Sequence, residues 1–160
     1  EKGIAVNSLS KTYSIPGIRV GWVASNTEVA DILRDYRDYT MICAGVFDDM
    51  VATLVLENKE AILERNRQIV EENLALMDEW IAKEPKASWI RPASVSTSFV
   101  KLDVNRPIED FALELLQDYG VLVVPGNRFD KESHVRIGYC CDKEVLQKGL
   151  EKLSQFLNKC

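Results

Sequence analysis

Ser8-Leu9-Ser10-Lys11-Thr12-Tyr13-Ser14-Ile15-Pro16-Gly17-Ile18-Arg19-Val20-Gly21-Trp22 is the stretch on which the reading of this chain turns. Just before it, Ile4-Ala5-Val6 is a short apolar run that reads as a buried strand, ended by the polar cluster Asn7 to Lys11. Two hydroxyls and a lysine therefore follow the carboxyl end of a strand, the edge of an α/β sheet where ligands usually sit. Pro16-Gly17 marks a turn, and Ile18 to Ala24 reads as a second strand. Alternation along it puts Arg19, Gly21 and Val23 on one face and Ile18, Val20 and Trp22 on the other. Hydroxyl donors and a forked guanidinium together make a cup for a phosphate dianion. A lysine held between them is placed to act as a covalent amine, since an amine nucleophile needs a cationic or desolvated setting to lose its proton. Alone, a loop lysine or a sheet-edge arginine would be read as solvated, because neither residue type is often buried.

Outward from this stretch the chain reads as alternating elements. Asn26 is placed to cap a helix over about Glu28–Tyr39, with Glu28 in its first turn. From Asp48 to Ala82, Val55, Ile62, Ile69 and Leu76 recur every seven residues and draw one apolar stripe, which predicts a single long helix. Lys83 to Pro92 reads as a loop with two prolines, and Ser94 to Asp103 as a strand. Pro107 suits the start of a helix with Ile108, Phe111, Ala112, Leu115, Leu116 and Tyr119 on its apolar face, ended by Gly120. Val121–Val124 and His134–Tyr139 read as strands, and Asp142 caps a last helix carrying Val145, Leu146, Leu150, Leu153 and Leu157. The order is that of an α/β chain whose second half lays helices on a small sheet.

Composition narrows the function classes. The 160 residues are 46% hydrophobic and 28% charged, a globular balance that excludes disordered or low-complexity protein. Twenty basic against 25 acidic residues give a net charge of −5, which points away from nucleic acid and from an anionic membrane surface. No apolar run is long enough to span a bilayer. The start Glu1-Lys2-Gly3 has no initiator Met and no leader pattern, so the chain is expected to be a cytoplasmic piece of something longer. Cys43, Cys140, Cys141 and Cys160 form no C-x-x-C pair, and His134 is the one histidine, so no metal site is expected and the cysteines read as reduced and space-filling.

The whole string from Ser8 to Gly21 resembles the S-x-S-K-x-x-x-x-P-G-x-R-x-G signature of the class I/II aminotransferases, the fold-type-I enzymes that use pyridoxal 5′-phosphate (PLP). The resemblance implies that Lys11 is the Schiff-base lysine and that Ser8, Ser10 and Arg19 hold the cofactor phosphate. A second stretch, Val121 to Phe129 followed by His134-Val135-Arg136-Ile137-Gly138, is similar to the closing hairpin of that family, in which P-G-x-x-F precedes a strand bearing an arginine for the substrate carboxylate. Arg136 fills that position, and a planar, permanently charged fork is what a carboxylate calls for. Arg128 stands nearby as a rival for the role, and Asp130 replaces the glycine that often follows the phenylalanine.

The match is to the back part of the family. It implies the end of the PLP-binding large domain over residues 1–47 and the small C-terminal α+β domain, with the connecting helix, over 48–160. By the resemblance, the acid that pairs with the pyridine nitrogen, the aromatic that stacks on the ring and the glycine-rich helix start that takes most of the phosphate have no counterpart in Glu1–Ser10, so the N-terminal part of the fold is expected to be missing from these residues. The implied function is a fragment of an aminotransferase that moves an amino group between an amino acid and a 2-keto acid, a homodimer in its parent form. Two rivals stand beside it: a C–S β-lyase or related synthase of the same fold, and a folded piece without activity of its own.

Overall fold

The computed structural model describes residues 3–160, which fall into two compact units, one up to Arg67 and the other Gln68–Cys160, divided within one continuous helix. The α/β reading holds.

In the first unit, β1 (Ala5–Ser8) and β2 (Gly21–Ala24) form an antiparallel ribbon with Ser8 opposite Gly21 and Asn7 opposite Trp22. A single helical turn, α1 (Leu9–Thr12), and a 3₁₀ turn, Pro16–Ile18, connect them. The second strand is thus shorter than expected. Pro16 presets the turn, and Arg19 closes it in the left-handed region at φ 53°, so the extended chain begins only after it. Arg19 therefore sits at a turn end and not on a strand face.

The helix α2 (Thr27–Arg37) is capped by Asn26, whose side-chain oxygen accepts from the Val29 N–H at 3.0 Å. The long helix is two, α3 (Val46–Glu57) and α4 (Lys59–Lys83). Asn58 breaks it: its side-chain amide donates to the Leu54 carbonyl at 2.8 Å and its backbone N–H donates to the same oxygen at 3.2 Å. Among the described residues of this unit only Leu9 and Ala52 are buried apolar side chains, while Val6, Tyr39, Val46 and Phe47 are largely exposed. A surface that apolar marks a face built to be covered.

The second unit has its own core. Its antiparallel sheet has the order β3 (Ala87–Trp89), β4 (Thr97–Leu102), β6 (His134–Gly138), β5 (Val124–Pro125). The three-residue β3 lies inside the span expected to be a loop, and β5 is only the tail of the expected strand. Two helices, α5 (Ile108–Tyr119) and α6 (Lys143–Leu157), join the end of α4 in one layer. Leu74 and Met77 from α4, Phe111 and Leu115 from α5, and Leu150, Leu153 and Phe156 from α6 pack with Val100, Leu102, Val135 and Ile137 of the sheet. Helices segregated to one face of an antiparallel sheet make this an α+β unit.

The buried polar groups tie the layers together. Asn73 in α4 donates to the carbonyls of Tyr139 at 2.6 Å and Cys141 at 2.8 Å, anchoring the chain as it leaves β6. Glu84 accepts from the Ser154 hydroxyl at 2.6 Å, which in turn accepts from the Trp80 indole N–H at 2.8 Å. Asn73 and Glu84 thus find the partners that burial requires.

Candidate active site

The ribbon of the first unit gathers the four residues singled out by the signature at one end. The ladder pair Ser8–Gly21 is followed by a bond from the Leu9 N–H to the Val20 carbonyl at 3.1 Å, so residues 8–11 lie beside residues 19–21. Leu9, 1% exposed, pins the turn from below, and the Ile15 N–H closes back on its carbonyl at 3.4 Å. At the far end of α1, the Asn66 side chain from the start of α4 donates to the Thr12 carbonyl at 2.9 Å. Gly21 is where the two strands touch most closely: a Cβ there would come within 2.6 Å of the Asn7 carbonyl oxygen. The R-x-G spacing is therefore steric as well as chemical.

The donors in this loop are available. Ser8 caps α1, its hydroxyl accepting from the Ser10 N–H at 3.4 Å. Lys11 is exposed and, among the described residues, its amine has no hydrogen-bond or carboxylate partner. The Arg19 guanidinium donates to the Pro16 carbonyl at 2.8 Å and meets no carboxylate among the described residues. Ser14 at φ 58° and Arg19 at φ 53° are both non-glycine residues in the left-handed region, a conformation that costs on the order of 1–3 kcal/mol each and clusters at functional sites. Two hydroxyls, an amine and a guanidinium on one strained loop form a donor set suited to a phosphate dianion joined to a carbonyl group.

Arg136 belongs to the second unit and lies on the sheet face opposite the helices. Alternation in β6 buries Val135 and Ile137 and leaves His134, Arg136 and Gly138 on the open face, where Phe99 stands directly across from Arg136 in β4. The Arg136 guanidinium lies 5.3 Å from the centroid of the Phe129 ring. It has no acidic partner among the described residues. Arg128, the expected rival, is engaged: with Asn127 it holds the Glu109 carboxylate of α5, Asn127 at 2.7 Å. Of the two, Arg136 is free for a ligand carboxylate.

The 3₁₀ turn Gly126–Phe129 delivers the aromatic ring. It ends at Asp130 in the left-handed region at φ 57°, which explains why glycine is common at that position and why aspartate, among the more tolerant residue types there, replaces it. His134 stacks on Phe99 with ring centroids 4.9 Å apart. Burial first, then the neighbouring Lys131 and Lys101, push its pKa below the usual 6.5. The cysteines are not space-filling. All four are exposed, in the loop after α2, in the turn after β6 and at residue 160. Among the described residues no cluster of three or more His, Cys, Asp or Glu side chains is placed to hold a metal, and no helix is long and apolar enough to cross a membrane.

Comparison with known proteins decides the family. The model of the family described as aminotransferase class I and II matches residues 1–153. The chain belongs to this family. A crystal structure of a PLP-dependent aminotransferase from Streptococcus suis superposes on this class I/II chain with a TM-score of 0.96 and 69% identity, covering 98% of it and 42% of the S. suis chain. LL-diaminopimelate aminotransferase of Natranaerobius thermophilus is 30% identical over 99% of the chain and 41% of its own length. Capreomycidine synthase of Streptomyces vinaceus is 29% identical over 98% and 41% respectively. The chain thus spans about two-fifths of the length of these class I/II relatives.

Sequence reasoning missed the aromatic surroundings of Arg136 and the Glu109 anchor. Both depend on cross-strand register and on turn geometry, and P-G-x-x-F was the only hint that an aromatic ring would arrive there.

Proposed function

We propose that these residues are the Schiff-base and carboxylate-binding part of a PLP-dependent aminotransferase that moves an amino group between an amino acid and a 2-keto acid. The observation that carries this reading is the unpartnered Lys11 amine on a strained loop whose hydroxyls and guanidinium suit a phosphate. In it, Lys11 is the attachment point for PLP, and the Ser8 and Ser10 hydroxyls with Arg19 hold the phosphate. PLP, when bound, supplies the electron sink that stabilises negative charge at the substrate Cα. The chain's own residues do the rest. Arg136 grips the α-carboxylate and orients the amino acid, and Nζ of Lys11, once free, takes up the proton from Cα. Residues 1–47 serve as the end of the cofactor-binding domain and 48–160 as the smaller domain. The working protein is a cytoplasmic homodimer in this reading.

Unit 1 buries little of its apolar surface within these 160 residues, which supports the view that the chain alone does not turn over substrate. The 29% identity to a synthase favours one second reading, a lyase or synthase branch on the same lysine. The experiment is an assay with an amino donor, with and without a 2-keto acid acceptor, on the protein carrying these residues. Transamination that needs the acceptor and disappears in Lys11→Ala supports the first reading. Release of pyruvate and ammonia from cystathionine without an acceptor supports the second.

A further inference from the structure

The open face of the second unit's sheet carries an ordered train of rings that ends on Arg136. The Arg136 guanidinium sits over the Phe129 ring at 5.3 Å. Phe129 meets Phe99 edge to face, at 5.8 Å between centroids and 84° between planes. Phe99 is stacked on His134 at 4.9 Å and 16°. Phe99 and Arg136 are also direct cross-strand partners, as are Lys101 and His134. Each ring thus limits where the next can go, and the last one limits the guanidinium.

The rings are not there to fill the core. Val100, Leu102, Val135 and Ile137 do that from the opposite face, whereas Phe129 is 44% exposed. A large ring left half in solvent beneath a cation with no acidic partner has a geometric use: the quadrupole of the ring face holds the cation without neutralising it. A carboxylate in the same place would hold Arg136 more tightly but would occupy the donors that a ligand needs. The turn bearing Phe129 is itself fixed, by Asn127 and Arg128 on Glu109 and by the buried Gly126.

We propose that Phe129 and Phe99, with His134 closing the far end of the stack, are positioning residues that hold the Arg136 guanidinium pre-aimed and unpaired for a ligand carboxylate. The inference rests on the reading of Arg136 as a carboxylate ligand. It predicts that the aim of the guanidinium depends on the rings packed beneath and behind it.

The test reads the Arg136 side-chain Nε–H resonance of the 160-residue chain by ¹H–¹⁵N NMR, assigned by its loss in Arg136→Lys. The ring current of Phe129 should move it upfield. Phe129→Leu should abolish that displacement, and Phe129→Tyr should restore it. Phe99→Leu should diminish it although Phe129 remains, and Phe99→Tyr should rescue it. Methyl resonances of Val100 and Val135 report that the core stays folded, and any variant in which they collapse is judged by its Tyr counterpart. Titration with propionate then probes the carboxylate, and loss of the stack should raise its dissociation constant about two- to fivefold. An Arg136 resonance without displacement, or one indifferent to Phe99→Leu, overturns the proposal. Ring-dependent displacement with a propionate response unchanged in Arg136→Lys would leave the positioning intact and overturn instead the reading of Arg136 as a carboxylate ligand.

Discussion

Replacing Gly126 by alanine should cost more stability than any single methyl group added elsewhere in the second unit. Gly126 is buried at the start of the turn that carries Phe129. A Cβ there would lie 2.9 Å from the carbonyl carbon of His134 and press into the carbonyl oxygens of Lys131 and His134. All three are backbone atoms, and the local hydrogen bonds hold them: the Lys131 N–H donates to the Gly126 carbonyl at 3.0 Å and the His134 N–H to the Lys131 carbonyl at 3.2 Å. Gly126 does not have a positive φ, so the penalty is steric and not conformational. Overpacking by one group costs typically about 1–3 kcal/mol, and three immovable neighbours place this case near the top, at about 3 kcal/mol. Gly149 in α6 is the control. A Cβ there meets nothing within 4 Å, so Gly149→Ala should gain about 0.5–1 kcal/mol from helix propensity alone. Urea unfolding followed by far-UV circular dichroism compares the two. With m near 1–3 kcal/mol/M, Gly126→Ala should lower the midpoint by on the order of 1–3 M at unchanged m. A loss below about 0.5 kcal/mol, or equal shifts for the two variants, would refute the steric reasoning.

Asn73→Ala strands the Tyr139 and Cys141 carbonyls at the exit of β6 and should cost about 1–3 kcal/mol in the same denaturation assay. Arg128→Ala should cost less than about 1 kcal/mol despite its contact with Glu109, because the two side chains are 62% and 48% exposed. His134 gives a pH dependence with a definite sign. Its pKa is lowered on folding, so the unfolded chain binds more protons and stability falls as pH drops below about 6.5. His134→Gln should flatten that part of the stability–pH curve, as read from thermal midpoints between pH 7.5 and 5, and an unchanged curve would contradict it.

The sequence was most legible where chemistry and geometry coincide. The signature placed Ser8, Ser10, Lys11 and Arg19 together, and the structure confines them to one end of a ribbon through the Ser8–Gly21 pair. Helix caps were legible in part. Asn26 makes its predicted bond, whereas Asp142 occupies the cap position of α6 without a side-chain hydrogen bond. Apolar periodicity misled twice. Its seven-residue recurrence runs through Asn58 because one capping residue hardly shifts the phase, so two helices read as one. The alternation from Ile18 to Ala24 starts the strand too early: Gly21–Ala24 is extended, but the backbone of Arg19 turns in the left-handed region, which no pattern of side chains records. Ala87–Trp89 was hidden for a different reason: three residues are too few to show a period, and only pairing with β4 makes them a strand.

The central claim is that Lys11 is the amine that carries PLP, in a cup built within one loop. Adding PLP to the 160-residue chain, reducing with borohydride and mapping the modified lysines by mass spectrometry tests it directly, with Lys11→Ala as the control for indiscriminate surface labelling. The expected result is label concentrated at Lys11 and lost in Lys11→Ala without reappearing at another lysine. Label scattered over the surface lysines, in a pattern that Lys11→Ala leaves unchanged, would contradict it.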